Sequence, residues 1–180
     1  MTPWFAATER FDPRAGEAWA KYIAWSGLTQ LEELVSLDCM LNPPVFKEMK
    51  AEYWAHAVNE DFMFGYFLDL DFLRAQLAGA ENYNLLCVYR NPESEPTMPK
   101  FEGLGFALLG YDLVDVEGGV SALTNCGGFP DVFGNAEISP KGLLNSHARA
   151  VEVQAKLRQL HPEEHHADCH VWAIGRAIEL

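Results

Sequence analysis

The stretch GLGFALLGYDLVD, residues 103–115, is a long apolar run. A glycine-containing turn at 116–119 follows it, and then a second run, VSALTNC, at 120–126. Two apolar runs separated by a short glycine turn predict an antiparallel β-hairpin. Outward from this centre, NYNLLCVYR at 82–90 and CHVWAIGRAI at 169–178 have the same apolar character and predict two further strands.

Helices are predicted between these strands from capping residues and breakers. Weaker strand patterns occur at 35–41, where apolar and polar residues alternate, and at 62–67. The predicted helices run from Asp12-Pro13 to Ser26-Gly27, through 45–58, from Asp69 or Asp71 to Gly79, and from Ser139-Pro140 to about Leu160. Five or six strands with three or four helices in no regular alternation predict a single α+β domain over 1–180, with a largely antiparallel or mixed sheet.

The charge of the chain is strongly acidic, with 26 Asp and Glu against 13 Lys and Arg. Residues 51–140 hold three basic and fourteen acidic side chains, a net charge of −11. Such a field repels nucleic-acid phosphates and anionic lipid and attracts a basic protein partner. No secretory signal is recognisable at the start, no apolar run is long enough to span a membrane, and the four cysteines form no CxxC pair. We therefore expect a cytoplasmic protein with free thiols.

Aromatic residues crowd the first 67 positions, and acidic residues lie beside them in sequence. Exposed aromatics within an acidic rim would form a protein-binding surface. This interpretation favours an interaction module that binds a basic partner, as an immunity protein binds a cationic toxin. The candidate binding residues are Trp54, Glu60, Asp61, Asp69, Asp71, Asp112 and Asp115. The alternative is structural: the acids cap helices and turns, and the aromatics fill the core.

Cys126 ends one apolar run and is followed directly by Gly127 and Gly128. In a cysteine-dependent hydrolase or transferase, such a turn would offer backbone N–H groups to an oxyanion, with His147 or His170 as the base. No family signature surrounds the cysteine. The structural alternative is a packed cysteine at a strand end, with glycines chosen because they accept positive φ.

The segment HPEEHHADCH, residues 161–170, holds four of the six histidines and one cysteine. Imidazole and thiolate are the preferred ligands of zinc, so His161, His165, His166 and Cys169, with His170 beside them, are candidate metal ligands. The alternative is a solvated connector between a helix and a strand, with no cofactor. If the strand ending at Cys126 and the strand beginning near Cys169 were neighbours, the catalytic cysteine and the zinc ligands would belong to the same site.

Overall fold

A computed structural model describes residues 1–10, 16–46, 48, 50–58, 65–115 and 119–179. Within these residues the chain forms one curled half-barrel sheet of six antiparallel strands, in the order β2-β1-β3-β6-β5-β4. The strands are β1 (Trp4–Glu9), β2 (Tyr66–Phe67), β3 (Tyr83–Arg90), β4 (Lys100–Phe101), β5 (Leu104–Val114) and β6 (His170–Glu179). The predicted α+β class and antiparallel sheet are confirmed.

The predicted pairing of residues 120–126 with β5 is confined to its start. Val114 and Ser121 form an antiparallel bridge, and Ala122 N donates a hydrogen bond to Leu113 O. The second run does not continue as a strand, and the long partner of β5 is β6, from Leu104 opposite Glu179 to Val114 opposite His170. The physical reason is that the buried carboxylate of Asp38 holds residues 121–125 in a turn, so their polar groups are satisfied without a strand ladder.

Gly110 lies at an irregularity in the pairing of β5 with β6. Its φ is +149°, and a Cβ there would lie 2.5 Å from the carbonyl oxygen of Leu144. Tyr111 and Leu144 exchange two backbone hydrogen bonds at this point. Glycine thus lets the 138–144 turn approach the sheet closely enough to pair with it.

Three α-helices lie in the described residues: α1 (Glu17–Ser26), α2 (Leu70–Gln76) and α3 (His147–Leu160). As predicted, Gly27 ends α1 in the left-handed conformation, and the Asp69 side chain caps α2 by accepting a bond from Phe72 N. The cap of α3 is Ser146 rather than Ser139. Ser139 instead closes a turn, since its Oγ accepts from Lys141 N and Leu143 N. The Asp12-Pro13 start of the first helix lies outside the described residues.

Two further predicted elements are corrected. Residues 35–41 are mostly buried but form no strand, because the Asp38 side chain accepts bonds from Met40 N and Leu41 N and turns the backbone. Within the described part of 45–58, the helical residues are a short 3-10 helix, Ala51–Ala55. Residues 62–64 of the predicted strand at 62–67 lie outside the described residues, and its end is β2.

Apolar side chains cover both faces of the sheet. The larger cluster includes Tyr111, Leu113 and Leu157 and lies on the face against which α3 packs. The smaller cluster includes Leu86, Trp172 and Ile174 on the opposite face. Each fully buried leucine contributes about 1.5–3 kcal/mol, so both clusters stabilise the sheet. None of the helices in the described ranges is long and apolar enough to cross a membrane.

Candidate metal centre

Three potential ligand side chains converge where the 120–128 turn meets the connection between α3 and β6. Cys126 Sγ contacts His166 Nε2, and His165 Nε2 lies 2.9 Å from His166 Nε2 and 4.0 Å from Cys126 Sγ. The three ligand atoms all lie within 4.8 Å of one another. A cysteine and two histidines therefore share one small volume, although about 40 residues separate them in sequence.

The two histidines are presented by a short 3-10 helix, His165–Asp168, between α3 and β6. Two side chains of α3 fix this helix: Gln154 Nε2 donates to Cys169 O at 2.7 Å, and Arg158 Nε donates to Ala167 O at 3.3 Å. The backbone directly after the histidines is therefore tied to a rigid element. This tethering places both imidazoles over the Cys126 turn.

Asp38 shapes the turn that carries Cys126. Its Oδ2 accepts hydrogen bonds from Ser121 N and Asn125 Nδ2, both at 2.8 Å. Gly127 and Gly128 follow with φ of +71° and +81°, values that confirm the positive φ predicted for them. Thus a buried carboxylate on one side and two left-handed glycines on the other set the position of the thiol.

The cluster has one buried side and one open side. His166 is 1% exposed and packs edge-to-face on Phe129, at a ring distance of 5.6 Å. The His165 side chain, in contrast, is 51% exposed, and Cys126 is half-buried. Solvent and small molecules can therefore reach the cluster from the His165 side.

The electrostatics of the cluster oppose an activated thiolate. Burial, together with the charges of Asp38, Asp115 and Glu164, raises the pKa of Cys126 to about 11. Burial and the neighbouring His165 lower the pKa of His166 to about 4, although Asp115 acts in the other direction. At neutral pH the pair is a thiol beside a neutral imidazole, whereas a cysteine hydrolase needs a thiolate beside an imidazolium.

The same carboxylates suit a bound cation. Asp115 Oδ2 lies 3.9 Å from His165 Nε2, and the Asp115 side chain is 3% exposed. Negative charges that penalise a bare thiolate stabilise a metal ion with its thiolate ligand. Tetrahedral zinc with Zn–S of 2.3 Å and Zn–N near 2.0–2.1 Å places neighbouring ligand atoms about 3.4 Å apart. Two of the three separations, 2.9 and 4.0 Å, lie on either side of that distance, whereas the contact between Cys126 Sγ and His166 Nε2 is shorter and must lengthen when a metal binds.

The histidines predicted as the base are engaged elsewhere. His147 Nε2 lies 2.6 Å from Pro92 O, and His170 Nδ1 lies 2.8 Å from Asn91 Nδ2. The histidine that contacts Cys126 is His166, which the sequence analysis assigned only to the metal set. The predicted pairing of Cys126 with His147 or His170 is corrected accordingly.

The structure brings together only two of the predicted zinc ligands. His165 and His166 meet in the cluster, but His161 Nε2 hydrogen-bonds to Asp131 Oδ2 at 2.9 Å, and Cys169 is fully buried in the larger core cluster. Cys126 takes the place of these two residues. A signal for this choice exists in the sequence: Cys126 is the cysteine flanked by turn residues, where a ligand side chain is most easily presented.

The predicted binding acids differ in their exposure to solvent. Asp112 is 0% exposed and accepts hydrogen bonds from Ser36 Oγ and Ser121 Oγ, so a protein partner cannot contact it. Asp115 lies beside the cluster and is buried as well. Asp69 and Asp71 remain at the surface, and Asp69 Oδ2 lies 3.0 Å from Nδ1 of His56, two residues from the exposed Trp54. Glu60 and Asp61 lie outside the described residues.

Comparisons with protein-family models, with curated proteins and with solved structures give no match to this chain. The interpretation of the cluster therefore depends on its own geometry and chemistry.

Proposed function

We propose that this protein is a zinc protein whose metal is held by Cys126, His165 and His166. The observation that carries the proposal is the convergence of three preferred zinc ligand atoms within 4.8 Å, from two separate segments of the chain. Three buried or nearby carboxylates, those of Asp38, Asp115 and Glu164, add the negative potential that a divalent cation requires.

The number of ligands supports a catalytic rather than a structural centre. Structural zinc sites have four protein ligands, whereas catalytic sites have three and leave the fourth position for water. Here the open side lies at His165, and Asp115, whose Oδ2 lies 3.9 Å from His165 Nε2, would be the base for water held by the metal. The reaction class that this arrangement supports is hydrolysis by metal-activated water.

Metal content tests the proposal directly. Protein expressed without a histidine tag is stripped with EDTA, reloaded with zinc and analysed by plasma mass spectrometry. We expect one zinc per chain in the wild type and a loss of stoichiometric binding in Cys126→Ser and His165→Ala. Cobalt substitution should also give a thiolate-to-metal charge-transfer band that Cys126→Ser removes. Cys39→Ser and His161→Ala are matched controls, because they change the same residue types outside the cluster.

Equal zinc content in all five proteins, or none in the wild type, would show that the cluster is not a metal site.

The hydrolytic step needs a separate readout. With p-nitrophenyl acetate as the probe, Asp115→Asn should keep zinc and lose hydrolysis. Retained hydrolysis in this variant would remove Asp115 from the mechanism and leave metal binding intact.

Cysteine-dependent catalysis is the competing interpretation of the same side chains, and alkylation distinguishes it. Rapid iodoacetamide modification of Cys126 below pH 7 in metal-free protein would reveal an activated thiolate. We expect slow modification instead.

A metal-bound thiolate also requires a reduced cysteine, which is consistent with the free cysteines and with the cytoplasmic compartment that we propose.

A basic protein partner is the second candidate function, and one surface favours it. Trp54 is 49% exposed and Leu68 is 52% exposed, and the backbone N–H of Leu68 bonds to His56 O, two residues from Trp54. Asp69 and Asp71 follow directly, with side chains 44% and 96% exposed. An aromatic anchor beside carboxylates matches the anatomy of an interface with a basic protein.

Affinity capture from a lysate of the source cells, repeated at low and high salt, tests this second candidate. We expect basic proteins to be retained at low salt, released at high salt and lost with Trp54→Ala. Trp25→Ala serves as a control, since Trp25 is also exposed, at 56%. Capture that is insensitive to salt or to Trp54→Ala would contradict the proposed interface.

A further inference from the structure

The central pair of strands, β3 and β6, separates at one end. Their pairing runs from Leu86 opposite Arg176 to Arg90 opposite Trp172. β3 continues to Tyr83 by pairing with β1, and β6 continues to Glu179 by pairing with β5. The two strands therefore diverge beyond Arg176 and leave a cleft between two halves of the sheet. The cleft has a volume of about 910 Å³ and is also lined by the end of α2.

Positive charge is concentrated in this cleft, although the protein is acidic. The charged side chains that line it in the described residues are Arg10, Arg74 and Arg176. Behind them lies Glu33, which is 9% exposed. Its carboxylate accepts from Arg10 Nε at 3.1 Å and Arg176 Nη1 at 2.6 Å, and Lys141 Nζ lies 3.4 Å away. Three cations thus share one carboxylate, and an excess of positive charge remains.

Asn84 provides a second, independent observation. It lines the cleft, is 1% exposed, and its Oδ1 accepts from Arg176 Nη1 at 3.3 Å. Its Nδ2 has no hydrogen-bond partner among the described residues, and neither has Oγ1 of Thr8, which lies opposite on β1. A buried amide donor without an acceptor is unfavourable unless a ligand supplies one. Beside two guanidinium groups, that acceptor would be an anionic oxygen.

We propose that the cleft between β3 and β6 binds a small organic anion. Arg10, Arg176 and Asn84 hold its carboxylate or phosphate, and Arg74 reaches it from α2. The forked donors of arginine fit both kinds of oxyanion. Leu77, Leu85 and Leu104 line the same cleft and accommodate a short apolar chain. This site is distinct from the Cys126 cluster, and it requires no metal.

Calorimetry and NMR titration of zinc-free protein test the site with named probes. Hexanoate, inorganic phosphate and hexyl phosphate are compared with hexanol, which carries no charge. Binding of hexanoate alone assigns a carboxylate ligand, and binding of either phosphate probe alone assigns a phosphate ligand. Binding of hexanol as tightly as hexanoate, or of no anion at all, would overturn the proposal.

Two variants locate the bound anion. Arg74→Gln changes a side chain that is 52% exposed, so the fold should be kept, and it should weaken binding about tenfold. Asn84→Leu should weaken binding similarly by removing the amide donor. Arg90→Gln is the matched control, because it removes the same charge where Arg90 lies over the Trp4 ring, 4.8 Å from its centre. Equal loss in Arg74→Gln and Arg90→Gln would mean that only net charge matters, and the site would be refuted.

Discussion

The two ends of strand β6 have opposite chemistry. Directly before its first residue, His170, lie the cluster histidines, surrounded by Asp38, Asp115 and Glu164. Near its other end, Arg176 joins Arg10 and Arg74 around the cleft. One end suits a cation and the other an anion. The difference teaches that a net charge of −13 does not define what such a protein binds, because the fold sorts the charges locally.

Asp38→Ala, at the end of β6 that carries the cluster, is expected to have the largest effect on stability. Asp38 is 0% exposed and accepts from Met40 N, Leu41 N, Ser121 N and Asn125 Nδ2. Removing the shared acceptor of these four donors, of which Ser121 N is buried, should cost about 3 kcal/mol and abolish zinc binding. Urea unfolding measures the cost. Asp71→Ala, at a site 96% exposed, should change stability by less than about 0.5 kcal/mol.

Zinc should stabilise the protein through the cluster end of β6 and not through the cleft end. At a free zinc concentration 100 times the dissociation constant, the free energy of unfolding should rise by about 2.7 kcal/mol. Thermal unfolding with and without zinc measures the shift. Cys126→Ser should remove it, and Arg74→Gln should keep it in full. If Arg74→Gln reduced the zinc shift, the two ends would be coupled and the comparison would fail.

At the cleft end, the effect of Glu33→Gln on the free energy of unfolding should depend on pH. Burial raises the pKa of Glu33, but the hydrogen bond and charge of Arg176 and the charges of Arg10 and Lys141 outweigh it and hold the pKa below its ordinary value. The ion pairs therefore stabilise the fold above the unfolded pKa of about 4.3, and the contribution disappears as pH falls through the lower folded pKa. We expect a difference of about 2 kcal/mol between wild type and variant at pH 7.

Unfolding curves recorded from pH 7 down to strong acid measure this difference. It should shrink toward zero as pH falls through the lowered folded pKa of Glu33, because the protonated side chain resembles glutamine. A difference that stays constant across this range would show that packing, and not charge, accounts for the effect of Glu33. Lys141→Gln is a milder control, because Lys141 is more exposed and its Nζ lies 3.4 Å from the carboxylate.

The smallest effect is expected from Asp69→Ala. Asp69 caps α2 through a bond of 2.9 Å from Phe72 N, and its loss should cost about 1 kcal/mol. The end of α2 lines the cleft through Arg74 and Leu77, so hexanoate or phosphate should bind more weakly. Zinc affinity should be unchanged, since α2 has no side chain in the cluster. Weaker zinc binding in this variant would argue against separate sites.

Much of the fold could be predicted from sequence because its signals are local. The apolar runs of β3, β5 and β6, the Gly27 end of α1 and the Asp69 cap each depend on a few neighbouring residues. The extent of the second strand of the predicted hairpin could not be predicted in this way. The point where residues 120–126 leave β5 depends on hydrogen bonds to Asp38, and the long pairing of β5 with β6 joins segments that are far apart in sequence.

The candidate site was predicted in part for the same reason. Composition identified Cys126 and the histidine-rich segment but left open whether they are neighbours, and the structure brings them together. Which histidines face the cysteine depends on the single 3-10 turn that orients His165 and His166 and leaves His161 with Asp131. Asp112 was misread as a surface acid because nothing in its local sequence indicates that Ser36 and Ser121 satisfy it in the interior.

The position of β6 between β3 and β5 affects how the chain is made. A ribosome synthesises β3 and β5 long before β6 exists. While residues up to Leu160 are emerging, the two apolar strands have open edges that can pair with each other or with another nascent chain. During translation this protein should therefore depend on chaperones that cover strand edges, until residues 170–179 insert between them.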